Sequence, residues 1–194
     1  MVASATTYPK IMTTLFLDTE TTGLNPFPAS DIVEVGIVGE TGTSVFHSLC
    51  KPEHPIPVAA TAIHGITDLM VAQAPTSDIV RQQVLDLVRG HDLVIYNASY
   101  DCQYFPGIAE EARSIQCCMD RFAEWKGEWD SKRGQWKWQR LVVAAGIAGC
   151  LEPGAHRAVA DARMSAGVWK FLESQGGMNG NNAAGCAVLG ESNA

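Results

Sequence analysis

The chain has 194 residues, 46% of them hydrophobic, and a formal net charge of −7. That is enough apolar material for one domain with a full core, and no apolar run approaches the ~20 residues that a transmembrane helix needs. The acidic balance argues against tight non-specific binding along duplex nucleic acid, though not against a site that grips a few nucleotides.

Residues 13–20 read as the first strand, an apolar run Leu15-Phe16-Leu17 that leads into Asp18-Thr19-Glu20-Thr21-Thr22-Gly23. Residues i and i+2 of a strand share a face, so Asp18 and Glu20 are expected to project two carboxylates side by side. Their mutual repulsion and the apolar flank both penalise ionisation, and a divalent cation between them would relieve it. Residues 31–40, rich in valine and isoleucine, predict a second strand, and the turn Glu40-Thr41-Gly42 feeds a third over 43–50. Pro52, Pro55 and Pro57 exclude helix from the next stretch.

A short helix is expected over 59–64. A longer one follows, capped by Thr76 or Ser77, with Val80, Val84, Leu87 and Val88 at helical spacing. Residues 92–97 predict a strand running into Asn97-Ala98-Ser99-Tyr100-Asp101, then a helix that Pro106 interrupts. Residues 114–119 read as another strand and 138–145 as helix. The last helix spans 157–172, with Val159, Ala162, Ala166, Trp169 and Leu172 on one stripe. His156 precedes it, five positions before a further acid, Asp161.

Strand, strand, strand, then alternating helix and strand is an α/β pattern with a mixed sheet. The domain is expected over 11–175, and the Gly/Asn-rich residues 176–194 as a disordered tail. Six cysteines (50, 102, 117, 118, 150 and 186) show no CxxC spacing and read as reduced thiols used as small apolar residues. With residues 1–10 lacking the apolar middle of a secretory signal, a cytoplasmic protein is expected.

Four scattered acids, Asp18, Glu20, Asp101 and Asp161, form a hard oxygen donor set suited to Mg²⁺ or Mn²⁺ rather than zinc. A pair of ions roughly 3.5–4 Å apart would fit two-metal phosphoryl chemistry.

The blocks DTETTG, NASYD and HRAVADA, with AIHGIT between the first two, resemble the DEDDh or DnaQ-like family of 3'-to-5' exonucleases in order, spacing and the histidine of the third block. That family includes the proofreading subunit of bacterial DNA polymerase III and exonuclease X. The resemblance implies a ribonuclease-H-like α/β fold, a five-stranded mixed sheet whose second strand is antiparallel to the rest, with helices on both faces. It also implies two divalent ions and release of nucleoside 5'-monophosphates from 3' ends. Asp18 would bridge both ions. Glu20 and Asp161 would hold the ion on the nucleophile side, Asp101 would support the second, and His156 would be the general base. His64 is expected against the terminal nucleotide.

Around that centre, Leu24 reads either as a wedge against the terminal base or as ordinary core. Thr21 and Thr22 offer donors near a 3' hydroxyl, and Asn97 reads either as a phosphate donor or as a tie within its own turn. Single-stranded DNA ends are the expected substrate, with RNA 3'-end trimming the alternative. Association with a polymerase has no support in the sequence. A binding module without activity is disfavoured because all five catalytic positions are intact.

One segment lies outside the family pattern. Trp125, Trp129, Trp136 and Trp138 interleave with Lys126, Lys132, Arg133, Lys137 and Arg140. Aromatics among cations suit single-stranded nucleic acid; the competing reading has the rings packing this loop onto the core.

Overall fold

The computed structural model describes residues 13–25, 27, 29–154 and 156–176. Residues 11–12 of the expected domain and the expected disordered tail beyond residue 176 lie outside these.

The first three strands form a meander, β1 (Thr14–Thr21), β2 (Ile32–Gly39) and β3 (Ser44–Leu49). The helices α1 (Val58–His64), α2 (Asp68–Val71) and α3 (Ser77–Val88) then lead to β4 (Asp92–Ile95). Past β4 the chain makes α4 (Ala98–Asp101), a 3₁₀ turn (Cys102–Tyr104) and α5 (Ile108–Glu111) on either side of Pro106, and then β5 (Ser114–Cys117). Next come α6 (Cys118–Lys126), a hairpin of β6 (Trp129–Asp130) and β7 (Gln135–Trp136), α7 (Leu141–Ala148) and α8 (Ala158–Ser174). The main sheet runs β3-β2-β1-β4-β5; β2 is antiparallel to β1 and β3, while β1, β4 and β5 are parallel. This is the expected mixed sheet.

Alternation along β1 decides what each face does. Leu15 and Leu17 pack with Ile37, Leu93 and Ile95 against Val80, Val84 and Val88 of α3. Phe16, with Val38 and Val94, faces the other way, onto Phe122 of α6, Ala144 of α7, and Met164, Val168 and Leu172 of α8. Burying each such side chain contributes about 1.5–3 kcal/mol, so both layers are firmly held to the sheet. The even-numbered face of β1 is therefore the α8 face, and Asp18 and Glu20 continue it beyond Phe16.

Two glycines set how closely α8 approaches. A Cβ on Gly36 of β2 would lie 2.5 Å from the Ala158 carbonyl carbon and the Val159 nitrogen, and one on Gly167 would lie 2.5 Å from Cys150 Cβ. Backbone therefore touches backbone where α8 begins, beside Asp18, the register partner of Gly36.

Several elements differ from expectation: the strand expected over 92–97 ends at Ile95, and α2 was not anticipated. The strand expected over 114–119 ends at Cys117, where Met119 N–H donates to the Tyr96 carbonyl (2.8 Å) and α6 begins, burying Phe122 and Ala123. The helix expected over 138–145 starts only at Leu141, because Trp138 Nε1 donates to Asp120 (2.8 Å) and the Gln139 carbonyl accepts from the Tyr96 hydroxyl (2.9 Å). The hairpin of two-residue strands was not anticipated; it is too short to show alternation. Burial drives the Cys50 thiol up to about 12 and raises that of Cys118 further, in line with inert apolar use. Among the described residues no helix is long and apolar enough to cross a membrane.

Candidate active site

Asp18 and Glu20 leave β1 on the face that α8 covers, and Asp161 sits in the first turn of α8. One carboxylate oxygen from each of these three residues lies within 4.8 Å of the others, so strand parity and the Gly36 contact bring the expected trio together. A bulge in the β1–β2 register between Glu20 and Thr21 turns the chain at this point, a device common beside active sites.

Asp101 comes from α4, whose Ala98 belongs to the α3-side layer. Its buried carboxylate accepts a hydrogen bond from the Thr19 hydroxyl (2.6 Å), and its charge acts on Asp18. It stands beside the trio rather than within it.

The four carboxyls resist ionisation together. Burial, then Asp101, Asp161, Glu20 and Glu34, push Asp18 well above the usual carboxylate range. Burial, followed by Asp161, Glu34 and Asp101, raises Glu20 to about 8 against a smaller pull from Arg157. Burial raises Asp101 to about 7, with the Thr19 hydrogen bond opposing it. Asp161 is raised by burial as well, partly offset by the His156 backbone N–H, which donates to its Oδ1 at 3.1 Å. Buried hard oxygens that repel one another are a donor set that fits Mg²⁺ or Mn²⁺.

His156 is exposed and takes a positive φ of 67°, which costs a residue with a Cβ about 1–3 kcal/mol. What holds the chain there is a residue that sequence reasoning missed. Glu34, buried in β2 opposite Glu20, receives Arg157 in a two-pronged ion pair (Nε 3.0 Å, Nη2 2.6 Å), the Ala158 N–H (3.0 Å) and His47 Nε2 (2.8 Å). Burial alone would raise its pKa, but these bonds hold it below the ordinary value. The signal was present in the sequence: an acid inside the apolar run Ile32-Val33-Glu34-Val35 needs a partner.

The remaining predicted contacts gather around the first motif. Leu24 is 88% exposed, which removes the core reading. Hydroxyls brace the carbonyls on either side of it: Tyr100 donates to Gly23 O (2.8 Å) and Tyr104 to Asn25 O (3.2 Å). Thr21 is buried with its hydroxyl 2.6 Å from that of Tyr100. Thr22 gives its N–H to the Asp31 carbonyl and accepts the Asp31 N–H on its hydroxyl (2.9 Å), leaving only the hydroxyl hydrogen for another acceptor. Asn97 Oδ1 accepts from Ser99 (3.0 Å), tying its own turn. His64 is satisfied within its turn at Nδ1, which accepts the Ile66 N–H (3.0 Å), while its buried Nε2 has no hydrogen-bond partner among the described residues. Burial lowers its pKa.

A five-stranded α/β sheet with acids converging at the end of its first strand is a site able to hold divalent cations, and comparison with known proteins names the family. The RNase_T exonuclease profile matches residues 15–169. An uncharacterized exonuclease CP81 of Escherichia phage 186 is 40% identical over 176 residues, covering 84% of this chain and 89% of that protein. The chain belongs to this exonuclease family, of the DEDDh, 3'-to-5' type. DNA polymerase III subunit epsilon of Pasteurella multocida is 42% identical over 96 residues, 45% of this chain but only 38% of that subunit. Among solved structures, exonuclease X in complex with 5' overhanging duplex DNA is 28% identical with a TM-score of 0.59, covering 84% of this chain and 93% of that one. The nuclease domain of 3'hExo, a DEDDh family member bound to rAMP, shares the fold at 15% identity, with a TM-score of 0.64 over 84% of this chain and 92% of that one.

Proposed function

We propose that this exonuclease is divalent-metal-dependent, removes nucleotides one at a time from the 3' ends of single-stranded DNA, and releases nucleoside 5'-monophosphates. The observation that carries this reading is the convergence of Asp18, Glu20 and Asp161 within 4.8 Å. The raised pKa of each member supports a site built for cations.

Asp18, Glu20 and Asp161 would hold one ion, and Asp18 with Asp101 a second. Bound there, Mg²⁺ or Mn²⁺ would supply Lewis-acid activation of the attacking water and charge stabilisation on the departing oxygen. His156 would take a proton from that water as its oxygen bonds to phosphorus. The bond from phosphorus to the 3' oxygen then breaks and that oxygen takes a proton from solvent, leaving a 3' hydroxyl on the shortened strand and a phosphate on the released nucleoside. The ion pair of Glu34 with Arg157 would fix where His156 stands.

Leu24, exposed on a braced loop, would wedge against the terminal base, with Thr22 at its 3' hydroxyl. His64 would turn its unpartnered Nε2 toward the same nucleotide, while Thr21 and Asn97 act by shaping the loops. The DNA bound in the exonuclease X structure supports DNA over RNA. Timed digestion of matched DNA and RNA oligonucleotides, single- and double-stranded, tests the assignment. Single-stranded DNA should shorten fastest, with 5'-monophosphates as the sole early product; nucleoside 3'-monophosphates, or faster loss of RNA, would contradict it.

A further inference from the structure

The segment rich in tryptophan and cations divides in the structure. Trp125 packs between Phe122 and Phe171, with ring centroids 5.3 and 4.9 Å away, half-buried against the core. The other three rings are exposed. Trp129 is 57% exposed, Trp138 48% and Trp136 38%, and all lie on or just after the β6–β7 hairpin.

The hairpin is built rather than loose. Trp129 and Trp136 are register partners whose rings meet edge to face at 5.1 Å. At the tip, Asp130 Oδ1 accepts the backbone N–H of Lys132 (3.0 Å) and Arg133 (3.2 Å), and Gly134 takes a positive φ of 67° to close the turn. This projects two cations from a fixed backbone. Glu128 lies between the ammonium groups of Lys126 (3.2 Å) and Lys137 (3.9 Å). Both acids of residues 126–140 thus serve internal contacts. Five cations against two acids make the segment locally positive in a chain whose net charge is −7.

Its placement ties it to the catalytic end. Leu17 of β1 pairs with Ile95 of β4, so continuing that register sets Tyr96 level with Asp18. Tyr96 packs in the α8-side layer, the face that carries the carboxylates. Its hydroxyl holds the Gln139 carbonyl, and Asp120 at the start of α6 holds Trp138. The exit of the hairpin is therefore anchored at the carboxylate end of the sheet.

We infer that this exposed hairpin and its exit, with Trp129, Trp136 and Trp138 set among Lys132 and Arg140, form a stacking platform for the single-stranded stretch behind the 3' end held in the active site. The inference rests on the exonuclease reading and deepens it. Bases stack on the rings and phosphates meet the cations. Because the rings are already ordered, binding loses little conformational freedom.

The test is a length series, dT3 to dT20 with matched rU3 to rU20, measured by fluorescence anisotropy on the full chain in EDTA. The parent should gain affinity with length, and the variant Trp129→Ala/Trp136→Ala should bind the 20-mer roughly ten-fold more weakly and lose most of that gain. In turnover, KM for the 20-mer should rise while kcat holds. Lys132→Ala, at an exposed tip position whose backbone contacts remain, should lower the slope of log K against log salt by roughly 0.7, the value of one phosphate contact. Loss on either polymer supports the inference. Unchanged affinity and length dependence on both overturn it, as does sedimentation showing that the tryptophan variant dissolves a dimer while oligonucleotide binding holds. Absence of nucleotide release by the parent would instead defeat the exonuclease reading, which the binding series does not measure.

Discussion

At the scale of single residues, the site is a group of carboxyls held near one another against their own repulsion. Glu20 is raised to about 8 and Asp101 to about 7, from ordinary values of 4.5 and 3.8. Between those limits the folded protein binds more protons than the unfolded chain, so the stability of the metal-free protein falls as pH rises. The penalty is absent below about pH 4 and complete above about pH 8. In EDTA, the unfolding midpoint should be higher at about pH 5.5 than at about pH 8, and saturating Mn²⁺ should narrow the gap by favouring the ionised forms. A midpoint that rises with pH in EDTA would remove the repulsion argument. By the same logic, Asp18→Asn should raise the midpoint of the metal-free protein while abolishing nucleotide release. His156→Ala should slow release by about 10²–10⁴-fold, with binding of oligonucleotide retained. Unchanged release by that variant would remove the assignment of His156 as base.

At the scale of elements, the beginning of α8 carries the account, since it bears Asp161 and follows His156. Glu34 holds it through the ion pair with Arg157 and the Ala158 N–H, and Gly36 seats Ala158 and Val159. Arg157→Ala leaves a buried carboxylate with only His47 and one N–H, and should cost about 2–4 kcal/mol in denaturant unfolding, less than a fully buried pair because the arginine is 41% exposed. Gly36→Ala puts a methyl into backbone, and should cost about 2 kcal/mol or more and weaken Mn²⁺ binding by displacing Asp161. Full stability in that variant would mean the close approach has no role. These same contacts show where the sequence was readable. The paired acids of β1, the succession of strands along the chain and the amphipathic last helix announced themselves because alternation and helical period are local properties. Glu34 signalled only that a partner was needed, and Arg157, its partner, lies 123 residues away. The start of α6 depends on the Tyr96 carbonyl, and the fate of Leu24 on two tyrosines far along the chain, so neither had a local mark. The four tryptophans carried two readings, and the structure divides them between core and surface.

At the scale of the whole molecule, an acidic chain handles a polyanion by localising its charges. The carboxylates gather where cations would neutralise them, and a positive hairpin stands at the same end of the sheet. The central claim is that the acids at that end work only through bound divalent ions. The most direct measurement follows a 5'-labelled oligonucleotide under digestion while excess EDTA, and then Mn²⁺, is added. The predicted record is a ladder that shortens by single nucleotides from the 3' end, halts on chelation and resumes with the ion. A ladder that continues to shorten in EDTA would contradict the account.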